Sequence, residues 1–192
     1  MAVKTPQFCV EKGGSGMSEW EIRGSQSIHK NPILELLREE IRTPAGDESP
    51  WTVVSILDGV AVAPIHEDNS VTMIRQYRHA VGDWMWEFPA GRVELDEDVE
   101  FGGRRELAEE VGLKAGVMRS HGIVFPLAGI CRHRIHLFEA RELTVTPMAL
   151  ETFECLTVER LTPADLRRLI QSDDLTDGIA LSMIARLDLT KG

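Results

Sequence analysis

The sequence predicts an α/β domain, on three observations. Apolar runs of strand length recur along most of the chain, among them "VAVAPI", "VTMIRQY" and "HRIHLFEA". Segments of helical pattern, "RRELAEEVGL", "TPADLRRLIQS" and "DGIALSMIARL", follow or flank them. The 192 residues, 43% hydrophobic and 27% charged, suffice for one main core with a small extension, but not for two independent cores.

Residues 1–18 are rich in Gly, Ser and Lys and read as a flexible tail, in which Met17 offers an alternative start. Between Glu19 and Asp58, "EWEIRG", "NPILELLREEIRTP" and "WTVVSIL" read as strands separated by Asn-Pro and Pro-Ala-Gly-Asp turn signals. By composition "ILELLREEI" also suits a short helix. From Gly59 onward "VAVAPI" and "VTMIRQY", with "HEDNS" between them, read as a buried hairpin. Three further strands are expected in "VMRSHGIVF", "HRIHLFEA" and "CLTVERL". The next helix is expected to start at Thr162, with Pro163 as its first residue and Asp165 in its first turn.

Charge and cysteine usage narrow the function. A formal net charge of -10 repels a phosphodiester backbone and argues against extended nucleic-acid binding, while small anions carried with a divalent cation remain possible. No apolar run approaches the roughly 18 residues of a membrane span, so a soluble protein is expected. Cys9, Cys131 and Cys155 are odd in number and far apart, and the N-terminus lacks a basic-then-apolar secretory pattern, which points to a reducing cytoplasm.

The densest chemistry lies in "GRVELDEDVEFGGRRELAEEVGL", residues 91–113. On a helix turning about 100° per residue, Glu106, Glu109 and Glu110 share one face, while Phe101, Leu107, Ala108 and Val111 are expected on the burying side. Three carboxylates this close repel one another, and their hard oxygens suit Mg²⁺ or Mn²⁺ bound together with substrate phosphates. The spacing is Gly91, five residues, Glu97, seven residues, Arg105-Glu106-Leu107, one residue, Glu109-Glu110, one residue, Gly112-Leu113.

That pattern resembles the Nudix hydrolase box at every defining position. The resemblance implies an α/β/α sandwich with a mixed sheet plus a small N-terminal β element, and hydrolysis of a nucleoside diphosphate linked to another moiety. It implies that Glu106 and Glu110 are the principal Mg²⁺ ligands, with Glu109 and the Ala90 carbonyl as further ligands. It also implies that Glu97 and Arg105 pair to hold loop against helix. Gly91 would let the loop approach a metal, and Gly112 would end the helix in a left-handed conformation. Gly102 and Gly103 depart from the alanine-like residues usual there. Close packing beneath the helix would account for them, since a helical glycine costs about 1 kcal/mol relative to alanine.

The run "RQYRHAVGDWMWEFPAGRVE" resembles the segment before the box in ADP-ribose pyrophosphatases, which places Arg78 and Glu87 near the substrate. Trp84 and Trp86 are read as core or interface residues before adenine stacking. Residues 19–58 resemble that branch's dimerisation element, so a homodimer is expected, with residues 59–192 as the hydrolase domain. Two departures bear on the substrate: "FPLAG" puts Ala128 where the branch carries proline, and His133 stands where it often carries glutamate. Cys131, His133 and His136 are read as ordinary strand residues, because alternation separates His136 from the other two and no second ligand pair follows. For the catalytic base the resemblance offers Glu154 or Glu151 on a loop after the central strands, with Glu109 of the box as the alternative.

The activity so implied is Mg²⁺-dependent hydrolysis of a nucleoside diphosphate sugar, ADP-ribose to AMP and ribose 5-phosphate first of all. A GDP-mannose or other NDP-sugar hydrolase, a nucleoside triphosphate pyrophosphohydrolase and a non-catalytic ligand sensor on the same fold are the alternatives.

Overall fold

Strands β1 (Glu21–Lys30), β2 (Leu34–Arg42) and β3 (Glu48–Ile56) form an antiparallel meander. The structure, a computed structural model, describes residues 19–150 and 155–191. Both turns of the meander follow from their residues. The Asn31 carboxamide oxygen accepts from the backbone N–H groups of Ile33 and Leu34 at 2.8 and 2.9 Å. The Thr43 hydroxyl accepts from Asp47 N–H, and Gly46 supplies a φ of 95°. The segment "ILELLREEI" is β2, not a helix: Glu39 and Ile41 turn inward while Arg38, Glu40 and Arg42 turn out, and ladders on both sides satisfy its backbone.

The expected hairpin between β4 (Gly59–Pro64) and β5 (Val71–Arg78) is reduced to one bridge, Ile65 with Val71. Beyond that bridge the strands part. β4 pairs with β7 (Ala90–Arg92) and lies parallel to β10 (Ile135–Val145), whereas β5 pairs with β6 (Asp83–Glu87) and β11 (Leu156–Leu161). Burial explains the divergence, because β4 is buried at every position and a strand covered on both faces needs neighbours on both edges. β8 (Leu113–Val124) completes the order β7-β4-β10-β8, and β9 (Cys131–Arg132) adds parallel to β3.

Alternation along β4 serves two apolar layers. Val60 and Val62 pack with Leu107 and Val111 of helix α1 (Val99–Val111). Ala61 and Ala63 pack with Leu166 and Leu169 of α2 (Pro163–Gln171) and with Ala180 and Met183 of α3 (Gly178–Leu187). Helices therefore cover both faces, as the α/β reading requires. The start of α2 is as expected: Thr162 and Asp165 form a reciprocal capping box, with Pro163 in the first turn. Among the described residues no helix is long and apolar enough to cross a membrane.

The burying side of α1 differs from expectation. Phe101 is 63% exposed, and the buried stripe is Gly103, Leu107 and Val111, flanked by Glu106 and Glu110. The carboxylate face is thus turned partly into the protein. Gly103 carries no side chain for a geometric reason: a Cβ there would stand 3.1 to 3.3 Å from Val60, Val62 and Met118, all beneath the helix.

Candidate active site

Antiparallel pairing of β7 with β4 sets Ala90 opposite Ala61 and Gly91 opposite Val60, which lays the loop strand against α1. Ala90 N–H donates to Glu110 Oε2 at 2.9 Å. Gly91 meets Glu106 so closely that a Cβ would overlap its carboxylate, so any larger residue would have to displace the Glu106 side chain. Glu106 and Glu110 are 8% and 2% exposed, while Glu109 is half-buried. At the helix end Gly112 adopts φ 64°, and a Cβ there would crowd the Thr146 carbonyl at 2.8 Å.

Arg105 gathers this face. Its Nε and Nη2 donate to the two Glu97 oxygens at 3.0 and 3.2 Å, the pair expected from the sequence. Nη2 also reaches the Arg92 carbonyl at 3.0 Å. Less predictably, Nη1 donates to Glu106 Oε1 at 2.7 Å and to Glu109 Oε2 at 2.9 Å. These carboxylates, Glu97 foremost, hold the guanidinium's pKa above its ordinary value, and Arg105 in turn holds Glu97 below the usual carboxylate range. With Arg105 bridging Glu106 and Glu109, no three His, Cys, Asp or Glu side chains stand as a ready-made metal-holding group among the described residues. The donors nonetheless fit a divalent cation: they are hard carboxylate oxygens, two of them on buried side chains, beside a loop glycine that keeps the approach clear.

A cleft of about 270 Å³ opens beside this loop, lined by Arg78, Glu87, Ala90, Gly91 and His133, together with Gly59, Arg92, Ile135, Asp177 and Ile179. Arg78 donates to Glu87 through Nε at 2.8 Å and Nη2 at 2.5 Å, a two-point pair whose acid is buried. The Glu87 hydrogen bonds raise the Arg78 pKa, and the guanidinium also feels Glu110 and Asp177. His133 Nδ1 donates to the Leu57 carbonyl at 2.7 Å, which fixes the ring at the cleft wall.

Other expected residues fall elsewhere. Ala128 lies on an exposed turn, residues 126–130, and does not line the cleft. Glu151 and Glu154 lie outside the described residues. On either side of them, Ala149 N–H donates to the Glu109 carbonyl at 3.0 Å, and Tyr77 N–H to the Cys155 carbonyl at 3.4 Å. Trp86 belongs to the core beneath α2 and α3, with the Arg75 guanidinium 5.9 Å from its ring centre, and Trp84 packs edge-on against Tyr77. His136 faces Asp58, and Cys131 is buried, which pushes its thiol pKa up.

Asp177, like Arg92, is a charged cleft residue that sequence reasoning missed. Its signal is present but reads as structure: it precedes an apolar-periodic helix and caps α3, accepting from Ala180 N–H at 2.7 Å. Burial, and secondarily repulsion from Glu87, raise its pKa against the opposing pull of that backbone bond and of Arg78.

The model of the NUDIX domain family matches residues 56–180. An ADP-ribose pyrophosphatase of Bacillus subtilis (strain 168) is 27% identical over 166 residues, covering 85% of this chain and 90% of that protein. An ADP-ribose pyrophosphatase of Mycobacterium tuberculosis is 35% identical over 98 residues, 50% of this chain and 47% of that one. A crystal structure of an ADP compounds hydrolase superposes with a TM-score of 0.80 at 17% identity, covering 91% of this chain and 95% of that chain.

Proposed function

The chain belongs to the Nudix family as a pyrophosphohydrolase, and from that premise we propose that it cleaves the pyrophosphate bond of a nucleoside diphosphate sugar, ADP-ribose to AMP and ribose 5-phosphate first. One observation carries the reading. The cleft lined by Arg78, Glu87 and His133 is continuous with Ala90 and Gly91, the loop that Glu106 and Glu110 pack against.

Mg²⁺, or Mn²⁺ in its place, would be held by Glu106, Glu110, Glu109 and the Ala90 carbonyl, where it supplies charge neutralisation for a pyrophosphate and a bound water of lowered pKa. Arg105 and Glu97 orient these carboxylates, and Arg105 supplies a counter-charge to Glu106 and Glu109. Arg78 is oriented by Glu87 through Nε and Nη2, which turns its Nη1 edge into a ready donor pair for a phosphate or ribose oxygen. His133 presents its Nε2 to the substrate once Nδ1 is committed to Leu57. Proton removal from the attacking water falls to Glu154 or Glu151, or else to Glu109.

The protein acts as a homodimer through the sheet of residues 19–58, in the reducing cytoplasm. Trp20, Ile22, Ile28 and Trp51 on that sheet are exposed apolar side chains, which supports a partner surface. A panel of ADP-ribose, ADP-glucose, GDP-mannose, NADH, diadenosine polyphosphates and dNTPs, read by phosphatase-coupled phosphate release with Mg²⁺, tests the reading. ADP-ribose and at least one other NDP-sugar should turn over fastest. Turnover of dNTPs alone would favour the triphosphate pyrophosphohydrolase, and turnover of nothing would favour the ligand sensor.

A further inference from the structure

The cleft has an electrical direction. Arg92 lies two residues beyond Ala90 along β7, while Glu87 and Asp177 line the cleft together with Arg78. Where Arg78 stands, one guanidinium faces two carboxylates, so that end carries surplus negative charge. The first turn of α3 borders the same cleft through Asp177 and Ile179, and an open helix N-terminus in a cleft is a natural seat for phosphate. In this chain the seat is filled from within, because the Asp177 carboxylate accepts from Ala180 N–H.

We propose that Asp177 is a specificity-determining residue: it closes the α3 N-terminus to phosphate and instead accepts hydrogen bonds from the hydroxyls of the substrate's sugar. The proposal rests on the NDP-sugar reading above and deepens it by naming what separates a sugar diphosphate from a triphosphate. A phosphate approaching this end meets Glu87 and Asp177 and finds the Ala180 N–H already taken. A ribose hydroxyl meets a charged acceptor, a stronger partner than a neutral one. Burial and Glu87 already disfavour the charge on Asp177, so a further anion beside it would be more unfavourable still.

Asp177→Asn and Asp177→Ser separate this role from capping, since Asn and Ser cap helices about as well as Asp. Both variants would be measured with Mg²⁺ for kcat and KM on ADP-ribose and ATP, for inhibition by inorganic phosphate, and for thermal unfolding. The ADP-ribose to ATP ratio of kcat/KM should fall about tenfold, chiefly through a higher KM for ADP-ribose, as a lost charged hydrogen bond would give. Phosphate should inhibit both variants at lower concentration than wild type, because the cap is kept while the charge that repels an anion is removed. A ratio that falls by less than about threefold in both variants, whatever their thermal stability, would overturn the proposal and leave Asp177 a cap alone. Wild-type protein that hydrolyses ATP and no NDP-sugar would defeat the proposed function instead, so the two failures are distinct.

Discussion

Glu106 and Glu110 are unusual acids, because a carboxylate on a side chain 8% or 2% exposed is costly to bury unless partnered. Here the partners come from the chain itself. Arg105 donates to Glu106 and the Ala90 N–H to Glu110, which keeps both oriented toward the loop. Glu106→Gln and Glu110→Gln should each lower turnover by orders of magnitude at limiting Mg²⁺. Far-ultraviolet circular dichroism and melting temperature should stay close to wild type, since glutamine keeps an oxygen acceptor and removes like-charge repulsion. Wild-type turnover in either variant would remove these residues from the metal role. At this scale much was legible. Gly91, Glu97, Arg105 and the three box glutamates stand at fixed spacing, and the Glu97–Arg105 pair is present. Arg105's reach to Glu106 and Glu109 was not, because spacing says which residues neighbour one another on a helix but not how one guanidinium divides its donors. Asp177 was hidden by a sufficient local explanation, its cap.

Among the elements, the turn that carries Ala128 gives the sharpest test. Ile130 N–H donates to the Leu127 carbonyl at 3.1 Å, which puts Ala128 at the second position of a β-turn, where proline is favoured. The turn leads directly into β9 and then to His133 at the cleft wall. Ala128→Pro should therefore be accepted and should stabilise the fold by about 0.4–1 kcal/mol through the unfolded chain. By stiffening the approach to His133 it should also narrow the range of NDP-sugars hydrolysed. Denaturant unfolding and kcat/KM on two NDP-sugars check both halves. Lower stability would mean that the turn rejects the φ proline imposes, and an unchanged sugar range would mean that the turn does not set selectivity. Element type was mostly readable from apolar periodicity and caps, as at Thr162 and Pro163. Pairing was not. "VAVAPI" and "VTMIRQY" are adjacent in sequence with a turn between them, yet burial on both faces sends β4 and β5 into different sheets. Phe101 misled for a related reason: a helix's buried stripe depends on what lies beneath it, and here that is Val60 and Val62 against Gly103.

Across the whole molecule, the N-terminal sheet is bound to the catalytic domain by more than apolar contact. Glu39 accepts from both terminal nitrogens of Arg132 at 2.7 and 2.6 Å, with its carboxylate buried, across 93 residues of sequence. Cys131 pairs with Val54, and His133 donates to Leu57. Removing residues 1–58 would leave Arg132 without Glu39 and would strip the wall that holds His133, besides uncovering apolar surface. Aggregate or a weakly active monomer is expected by size-exclusion chromatography with light scattering, against a dimer for the full chain. A soluble, fully active monomer after truncation would contradict that role for the sheet. The pair of Glu39 and Arg132 was beyond sequence reasoning, since nothing local links residues so far apart.

Which bond is broken, and into which products, is read most directly in a single experiment. ADP-ribose would be incubated with the full chain and Mg²⁺ in ¹⁸O-labelled water, and the products separated by anion exchange and weighed by mass spectrometry. AMP and ribose 5-phosphate are expected in equal amounts, with one labelled oxygen on one of the two phosphates, and with turnover lower by orders of magnitude in Glu106→Gln. ADP with free ribose, or no products while dNTPs are hydrolysed, would contradict that expectation.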